Sequence, residues 1–224
     1  MKKLLFAAMM MTAGAALAAT ELDSSQFGFV PVPVAASGLT AVSVPVTGYT
    51  AGESIKIAEV LQTANLTVGD KLYTMTDGGK YNEYVLQVDK QGDKTWKASR
   101  VVTVSGGSMT SASGTPATEA TVQRGKAFWI QTTSADQVNI MGQATTDSGT
   151  PTITVSTGWN LVGSPSMTQE VKISTIEGAA GSFISVNGMT YQKTSTGWKN
   201  RATKAAVTDA DVIPVGMGAM IKKN

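Results

Sequence analysis

Ser37-Gly38-Leu39-Thr40-Ala41-Val42-Ser43-Val44-Pro45 returns, in register, as Thr157-Gly158-Trp159-Asn160-Leu161-Val162-Gly163-Ser164-Pro165. A second match joins Gly125-Lys126-Ala127-Phe128-Trp129-Ile130 to Gly216-Met217-Gly218-Ala219-Met220-Ile221. The two motifs occur in the same order in both halves of the chain. A recurring pair of motifs at this spacing predicts a tandem internal repeat made of two related units.

Between these motifs the local patterns are typical of β-strands. Gln137-Val138-Asn139-Ile140 and Thr152-Ile153-Thr154-Val155 alternate polar and apolar side chains with a period of two. Asn187-Gly188 is the strongest hairpin signal in the chain, because both residue types tolerate positive φ. We therefore expect a mainly β protein in which each unit is a small β-barrel or β-sandwich.

One segment in each half departs from the strand pattern. From Ser54 to Ala64 the apolar residues fall at helical spacing, with Ser54 available as the N-cap, although an amphipathic strand is the alternative for residues 53–58. The matching segment of the second half, at Val171-Lys172-Ile173, is cut short by Gly178. The sequence thus predicts one short helix per unit, with the second barely more than a turn.

Composition divides the chain into five segments. Residues 105–118 are nearly all Ser, Gly, Thr and Ala, which predicts a flexible loop inside the first unit. The expected segments are a signal peptide at 1–18, an extended N-terminal arm at 19–36, β unit 1 at 37–142, a linker at 143–151 and β unit 2 at 152–224.

The first residues have the three parts of a secretory signal. Lys2 and Lys3 precede a short apolar run that ends at Ala16-Leu17-Ala18, a small-x-small cleavage site. We expect export to the periplasm, the cell surface or the exterior of a bacterium, with no integral membrane segment after signal removal. Without the two signal lysines, 16 basic residues balance 16 acidic ones. This balance argues against nucleic acid as a partner.

The sequence lacks the residues of the commonest catalytic and metal sites. It has no His and no Cys, which removes the usual general base, the His- and Cys-based nucleophile pairs and the commonest zinc ligands. Asp89 and Asp93 flank a turn, but their spacing does not match a dedicated calcium loop, and turn capping is the alternative. We expect a protein that is not an enzyme and that uses no cofactor and no metal.

Aromatic side chains are the candidate ligand contacts. Sugars stack on exposed aromatic rings, and the candidates for this role are Trp129, Trp96, Trp198, Tyr81 and Tyr84. The alternative for each is a place in the core, because Trp96 and Trp198 recur at equivalent positions of the repeat. Trp159 stands where the first unit has Leu39, which favours apolar packing for this ring.

The motifs at residues 158–165 and 125–130 resemble those of a large, poorly characterised group of exported bacterial β-proteins. That group carries a signal peptide, a G-W-N-L-[VI]-G-x-P strand and a G-x-x-F-W-[IV] strand. The first unit departs from the pattern at Leu39-Thr40, and the second departs from it at Ala219-Met220. The resemblance implies an extracytoplasmic β-domain and transfers no catalytic residue.

Two functional hypotheses follow from these patterns. The first is a structural or adhesive protein of the bacterial surface or periplasm, whose Val/Pro-rich arm pairs with an open sheet edge of a second copy. The alternative is a carbohydrate-binding module whose exposed Trp and Tyr rings contact a surface polysaccharide.

Overall fold

The computed structural model describes residues 27–47, 54–76, 79–105, 108–144 and 150–224. The expected signal peptide and most of the expected linker lie outside these ranges. Ten strands belong to the first part of the chain: β1 (Phe27–Pro33), β2 (Leu39–Ser43), β3 (Ile55–Lys56), β4 (Lys71–Met75), β5 (Lys80–Val88), β6 (Lys94–Ser105), β7 (Ser108–Ala112), β8 (Thr121–Val122), β9 (Ala127–Gln131) and β10 (Gln137–Gln143).

Seven strands follow in the second part of the chain. They are β11 (Gly158–Gly163), β12 (Val171–Lys172), β13 (Phe183–Val186), β14 (Met189–Thr194), β15 (Gly197–Asn200), β16 (Val212–Ile213) and β17 (Gly218–Lys223). Helical structure is limited to α1 (Ile57–Val60) and a 3-10 helix (Ile173–Thr175) among the described residues.

Both halves have the same strand order. The first sheet runs β2-β9-β4-β5-β6-β7, and the second runs β11-β17-β13-β14-β15. A two-strand pair, β3-β8 or β12-β16, accompanies each sheet, and a short helix follows its first strand. The matched tryptophans also lie on corresponding strands. Trp96 on β6 lies opposite Leu86 on β5, and Trp198 on β15 lies opposite Lys193 on β14. The protein is mainly β, as the sequence predicts, and one short helix and one 3-10 helix accompany its two larger sheets.

The hairpin signal at Asn187-Gly188 is confirmed. Asn187 has φ 46° and Gly188 has φ 75°, and they connect β13 to β14 directly, with Val186 opposite Met189. Two successive positive φ values match the right-handed twist of the paired strands, which makes this turn tight.

The predicted extent of the first helix is wrong. Ile55 and Lys56 pair with β8 as a strand, and α1 contains only four residues, with no side-chain cap at Lys56. Residues 53–58 therefore come closer to the strand alternative. Ile55, Ile57 and Val60 are all buried, so tertiary packing rather than helical propensity decides the backbone here.

Two further predictions about irregular and regular segments are wrong. The expected flexible loop at 105–118 contains β7, which pairs antiparallel with the end of β6 over five residue pairs. Backbone hydrogen bonding to an existing sheet orders this polar stretch although it has little apolar area of its own. Residues 152–155, by contrast, alternate like a strand but pair with none, and the carbonyl of Val155 accepts from the Lys223 ammonium at 3.2 Å.

The extended arm expected at 19–36 forms a paired strand from Phe27 onward. Residues 27–33 form β1, which pairs antiparallel with β10, and the Val34 N–H donates to the Asp136 carbonyl at 2.9 Å on the same side. Successive backbone nitrogens of a strand point to opposite sides, so those of Pro31 and Pro33 face away from β10. Neither carries a hydrogen, so two positions on the outer edge of β1 have no N–H to donate to a neighbouring chain. The two prolines therefore reduce the number of backbone hydrogen bonds that this edge could make with a second copy.

The two units meet along a seam with approximate two-fold symmetry. The Ser43 N–H donates to the Gly216 carbonyl at 2.8 Å, and the Gly163 N–H donates to the Gly125 carbonyl at 3.0 Å. In the repeat, residue 43 is equivalent to 163, and residue 125 is equivalent to 216. Equivalent backbone groups therefore form the same hydrogen bond twice across the seam, once with the donor in the first unit and once with the donor in the second. This is the arrangement found in the interface of a symmetric dimer.

Small side chains allow the close approach at this seam. A Cβ atom on Gly163 would lie 2.1 Å from the Cβ of Ser43, and one on Gly218 would lie 2.7 Å from that of Ala127. A shared apolar cluster extends from the seam and contains Tyr73 and Tyr81 of the first unit and Leu161 of the second. The units thus join through a packed core as well as through backbone hydrogen bonds.

Candidate functional site

Three of the five aromatic candidates are buried, which contradicts their expected role as ligand contacts. Tyr81 is 2% exposed, Tyr84 is 0% exposed and Trp198 is 3% exposed. The Tyr84 hydroxyl donates to the Glu119 carbonyl at 2.9 Å, and the Trp198 indole N–H donates to the Ile176 carbonyl at 2.9 Å. Their polar atoms satisfy buried backbone groups, so these rings are core residues.

The other two candidates are half-buried. Trp96 packs against the core of the first unit, and Trp129 packs in the shared cluster beside the seam. Both rings are partly covered, and Trp129 also lines a smaller cleft of about 470 Å³ beside Leu39. The site that the sequence placed on these five residues is therefore not assembled by the fold.

Trp159 is the exposed tryptophan, and the prediction of a packing role for it is wrong. Its side chain is 53% exposed at the start of β11, whose last four residues are all buried. Leu39, the equivalent residue of β2, is also exposed, at 37%. An apolar residue at this position faces solvent in both units, whereas the sequence pattern alone assigned it to the core.

The residues on either side of Trp159 hold the turn that presents it. Gly158 has φ 97°, a conformation that favours glycine. The Asn160 side-chain oxygen accepts from the Ser156 N–H at 3.0 Å, and its amide nitrogen donates to the Ser156 carbonyl at 2.7 Å and to the Gly158 carbonyl at 3.1 Å. Gly158 and Asn160 are thus structural, and the indole between them is left available for contact.

Lys222 approaches the Trp159 ring from the neighbouring strand. The two residues are cross-strand partners, and the ammonium lies over the ring at 5.9 Å from its centre. A cation at this distance is attracted to the face of an indole, which limits the orientations of both side chains.

Trp159 lines an open cleft of about 710 Å³ between the two units. The second unit contributes residues 156–161, and the first contributes the end of β4, β8 and the start of β9. Most of the polar lining groups are neutral hydroxyls or amides: Ser54, Thr74, Thr76, Thr121, Gln123 and Thr157. Lys126 is the one ionisable side chain among the described residues that line the cleft.

Buried carboxylates away from the cleft have structural partners. Glu83, 2% exposed, accepts from Arg100 at 3.0 and 3.2 Å and lies 3.7 Å from the Lys71 ammonium. Burial alone would raise the pKa of Glu83, but the Arg100 hydrogen bonds and the Lys71 charge outweigh it and hold that pKa below its usual value. Asp70 accepts from the N–H groups of Thr67 and Thr133, at 2.8 Å each.

The turn between β5 and β6 uses its aspartate as a cap. The Asp89 side chain accepts from the N–H groups of Gln91 and Asp93, at 2.9 Å each. Across the described ranges, no group of three or more Asp, Glu, His or Cys side chains is placed to hold a metal ion. No helix in the described part of the chain is long and apolar enough to cross a membrane.

The buried tyrosines give a prediction for alkaline pH. Four of the five tyrosines, at positions 73, 81, 84 and 191, are no more than 2% exposed. Burial raises the pKa of Tyr73 and of Tyr191 to about 12, from an ordinary value of 10.0, and nearby Glu83 and Asp211 add to the respective shifts. A raised pKa stabilises the fold below the unfolded value, and this stability is lost as the pH rises from 10 towards 12.

We therefore expect the four buried phenols to ionise at higher pH than a free tyrosine, and mainly as the protein unfolds. At about pH 11 we expect Tyr73 and Tyr191, whose pKa is raised to about 12, to remain mostly protonated in the folded protein. Their phenolate absorbance should appear in one cooperative step that coincides with the loss of the β-sheet circular dichroism signal. A gradual titration of all five in the folded protein would contradict the burial described above.

Comparisons of this chain with protein-family models, with curated protein sequences and with solved structures give no match.

Proposed function

We propose that the protein is an exported, non-enzymatic binding protein of the bacterial cell surface or periplasm, with a structural or adhesive role. It binds a polysaccharide in the cleft between its two units, and the Trp159 ring is the main contact. The exposed ring of Trp159, at the edge of a cleft lined by neutral polar groups, is the observation that carries the proposal.

The cleft has the two kinds of group that sugar recognition uses. A pyranose ring has an apolar C–H face that packs on an aromatic ring and hydroxyl groups that need hydrogen-bond partners around it. Trp159 supplies the first, and Thr121 and Gln123, both exposed, supply hydroxyl and amide partners. Because Gly158 and Asn160 fix the turn below the ring, binding does not require a rearranged backbone.

Charge favours a sugar over a nucleic acid. One lysine lies in the described lining, and the chain without its expected signal peptide has equal numbers of basic and acidic residues. Nucleic acids are bound through many phosphate contacts from clustered Lys and Arg.

A binding role without catalysis agrees with the chemistry of the chain. The sequence has no His and no Cys, and the buried carboxylates of Glu83 and Asp70 are engaged by structural partners. An exported location rests on the sequence pattern of residues 1–18. The resemblance to exported bacterial β-proteins rests on the two motifs at residues 158–165 and 125–130.

The proposal predicts that Trp159→Ala abolishes most sugar binding. The test is titration calorimetry of the purified protein with cellohexaose, xylohexaose, mannohexaose and chitohexaose. We expect at least one of these four probes to bind, and Trp159→Ala to weaken that binding at least about ten-fold, or ~1.4 kcal/mol.

Leu39→Ala is the matched control, because Leu39 is the equivalent exposed residue of the other unit. It should leave the affinity within about two-fold, or ~0.4 kcal/mol. The proposal is wrong if none of the four probes binds, or if Trp159→Ala binds a probe as tightly as the parent does.

A further inference from the structure

The two-fold seam creates a second cleft that is equivalent to the first. This cleft has a volume of about 470 Å³ and is lined by residues 39–41 of β2 and by Met217 and Gly218 at the start of β17. In the repeat these positions correspond to residues 159–161 and to Lys126 and Ala127, which line the Trp159 cleft. Each cleft therefore takes one wall from each unit.

The equivalence extends to a third wall. In the Trp159 cleft, Thr74 and Met75 at the end of β4 contribute to the lining, and in the second cleft Val186 and Asn187 at the end of β13 do so. Trp129 and Met220 are equivalent in the repeat. Tyr73 pairs with Trp129 and Ser185 pairs with Met220, so the residues that follow Tyr73 and Ser185 occupy matching positions of the two sheets.

The two clefts differ at the exposed residue near the start of the first strand of each unit. The Trp159 cleft contains Trp159 and Asn160 of the Gly-Trp-Asn-Leu motif, with Lys126 and Ala127 of the first unit opposite them. The second cleft contains Leu39 and Thr40 at the equivalent positions, with Met217 and Gly218 opposite them. The half-buried Trp129 also lines the second cleft, so this cleft lacks the exposed tryptophan but keeps a partly covered one.

We propose that the cleft around Leu39 is a second copy of the polysaccharide site in which Leu39 replaces the exposed tryptophan of the first. The chain then binds one oligosaccharide although its architecture provides two places for one. This inference rests on the function proposed for the Trp159 cleft, and its ligand class is the same.

The second cleft keeps the support for an aromatic residue at position 39. Leu39 is exposed, and the Thr40 hydroxyl accepts from the Ala35 N–H at 3.0 Å, much as the Asn160 oxygen accepts from the Ser156 N–H. A larger ring at position 39 meets solvent rather than a packed core, so Leu39→Trp is compatible with the fold.

The test restores the missing contact and counts the sites. The probe is whichever of the four hexasaccharides binds the parent, and the readout is the stoichiometry in titration calorimetry. We expect the parent to bind one probe per chain and Trp159→Ala to bind weakly. The double variant Trp159→Ala/Leu39→Trp should bind the probe at least about ten-fold more tightly than Trp159→Ala. Leu39→Trp alone should bind two probes per chain.

Adding Thr40→Asn to each Leu39→Trp variant completes the motif. If this buried substitution unfolds the chain, the single exposed substitution still decides the question. Folded Leu39→Trp variants that bind no additional probe overturn the inference while leaving the Trp159 site intact. Full binding by Trp159→Ala alone overturns the proposed function itself, so the two failures are distinguishable.

Discussion

Trp198→Ala should lower the free energy of unfolding by about 3–5 kcal/mol. The ring is 3% exposed in the core of the second unit, among Ile173, Ile176 and Tyr191. Truncation leaves a large cavity and removes the donor of the Ile176 carbonyl, which would be buried without its partner. Urea unfolding followed by circular dichroism measures the change.

Trp159→Ala is the matched control for this loss, because it removes the same side chain from an exposed position. It should change the free energy of unfolding by no more than about 0.5 kcal/mol. Equal destabilisation by both substitutions would show that the Trp159 ring is packed, and a Trp198→Ala protein as stable as the parent would show that Trp198 is not.

Gly163→Ser should destabilise the protein by about 1–3 kcal/mol, because it overpacks the seam. The new Cβ atom would lie 2.1 Å from the Cβ of Ser43 and 2.7 Å from the carbonyl oxygen of Met217, far inside normal contact distances. The backbone at Gly163 does not have a positive φ, so the cost comes from crowding and not from the conformation.

The two-fold relation gives this prediction a specific rescue. Ser43 and Gly163 are equivalent residues that face each other, so the exchange Ser43→Gly/Gly163→Ser restores one small and one larger side chain at the same contact. We expect the exchange to recover at least about 1 kcal/mol relative to Gly163→Ser alone, which a double-mutant cycle measures. Strictly additive effects would show that the two positions do not meet.

A glycine of the same chain that has more room serves as the second control. A Cβ atom on Gly38 would come no closer than 3.1 Å to another atom, the side chain of Ala35. Gly38→Ser should therefore cost less than Gly163→Ser in the same unfolding experiment.

The mainly β architecture was accessible from the sequence because its strand patterns and turn signals are local. The matched motifs predicted two related β units, and the Asn187-Gly188 turn identified a hairpin whose φ values the structure confirms. Local periodicity was a weaker guide. It assigned a helix from Ser54, where Ile55 and Lys56 pair with β8 as a strand instead. Composition was no better a guide at residues 105–118, where it predicted a flexible loop and β7 joins the edge of a sheet.

The candidate site was not accessible in the same way. A period-two pattern shows that neighbouring side chains face opposite sides, but not which side is covered by the other unit. Tyr81 is covered by the seam and Trp159 is left open, although both are aromatic residues in strand-like runs. The exposure of position 159 follows from its place at the start of a strand, and the equivalent Leu39 shares it.

The most direct test of the binding site observes the four indole N–H groups one by one in a nitrogen–proton NMR spectrum. Single Trp→Phe variants assign the signals, and the hexasaccharide that binds in calorimetry is then added to the parent protein. We expect the Trp159 signal to shift in proportion to the bound fraction, while the signal of buried Trp198 stays in place. A Trp159 signal that does not move while the probe binds would contradict a polysaccharide site at this ring.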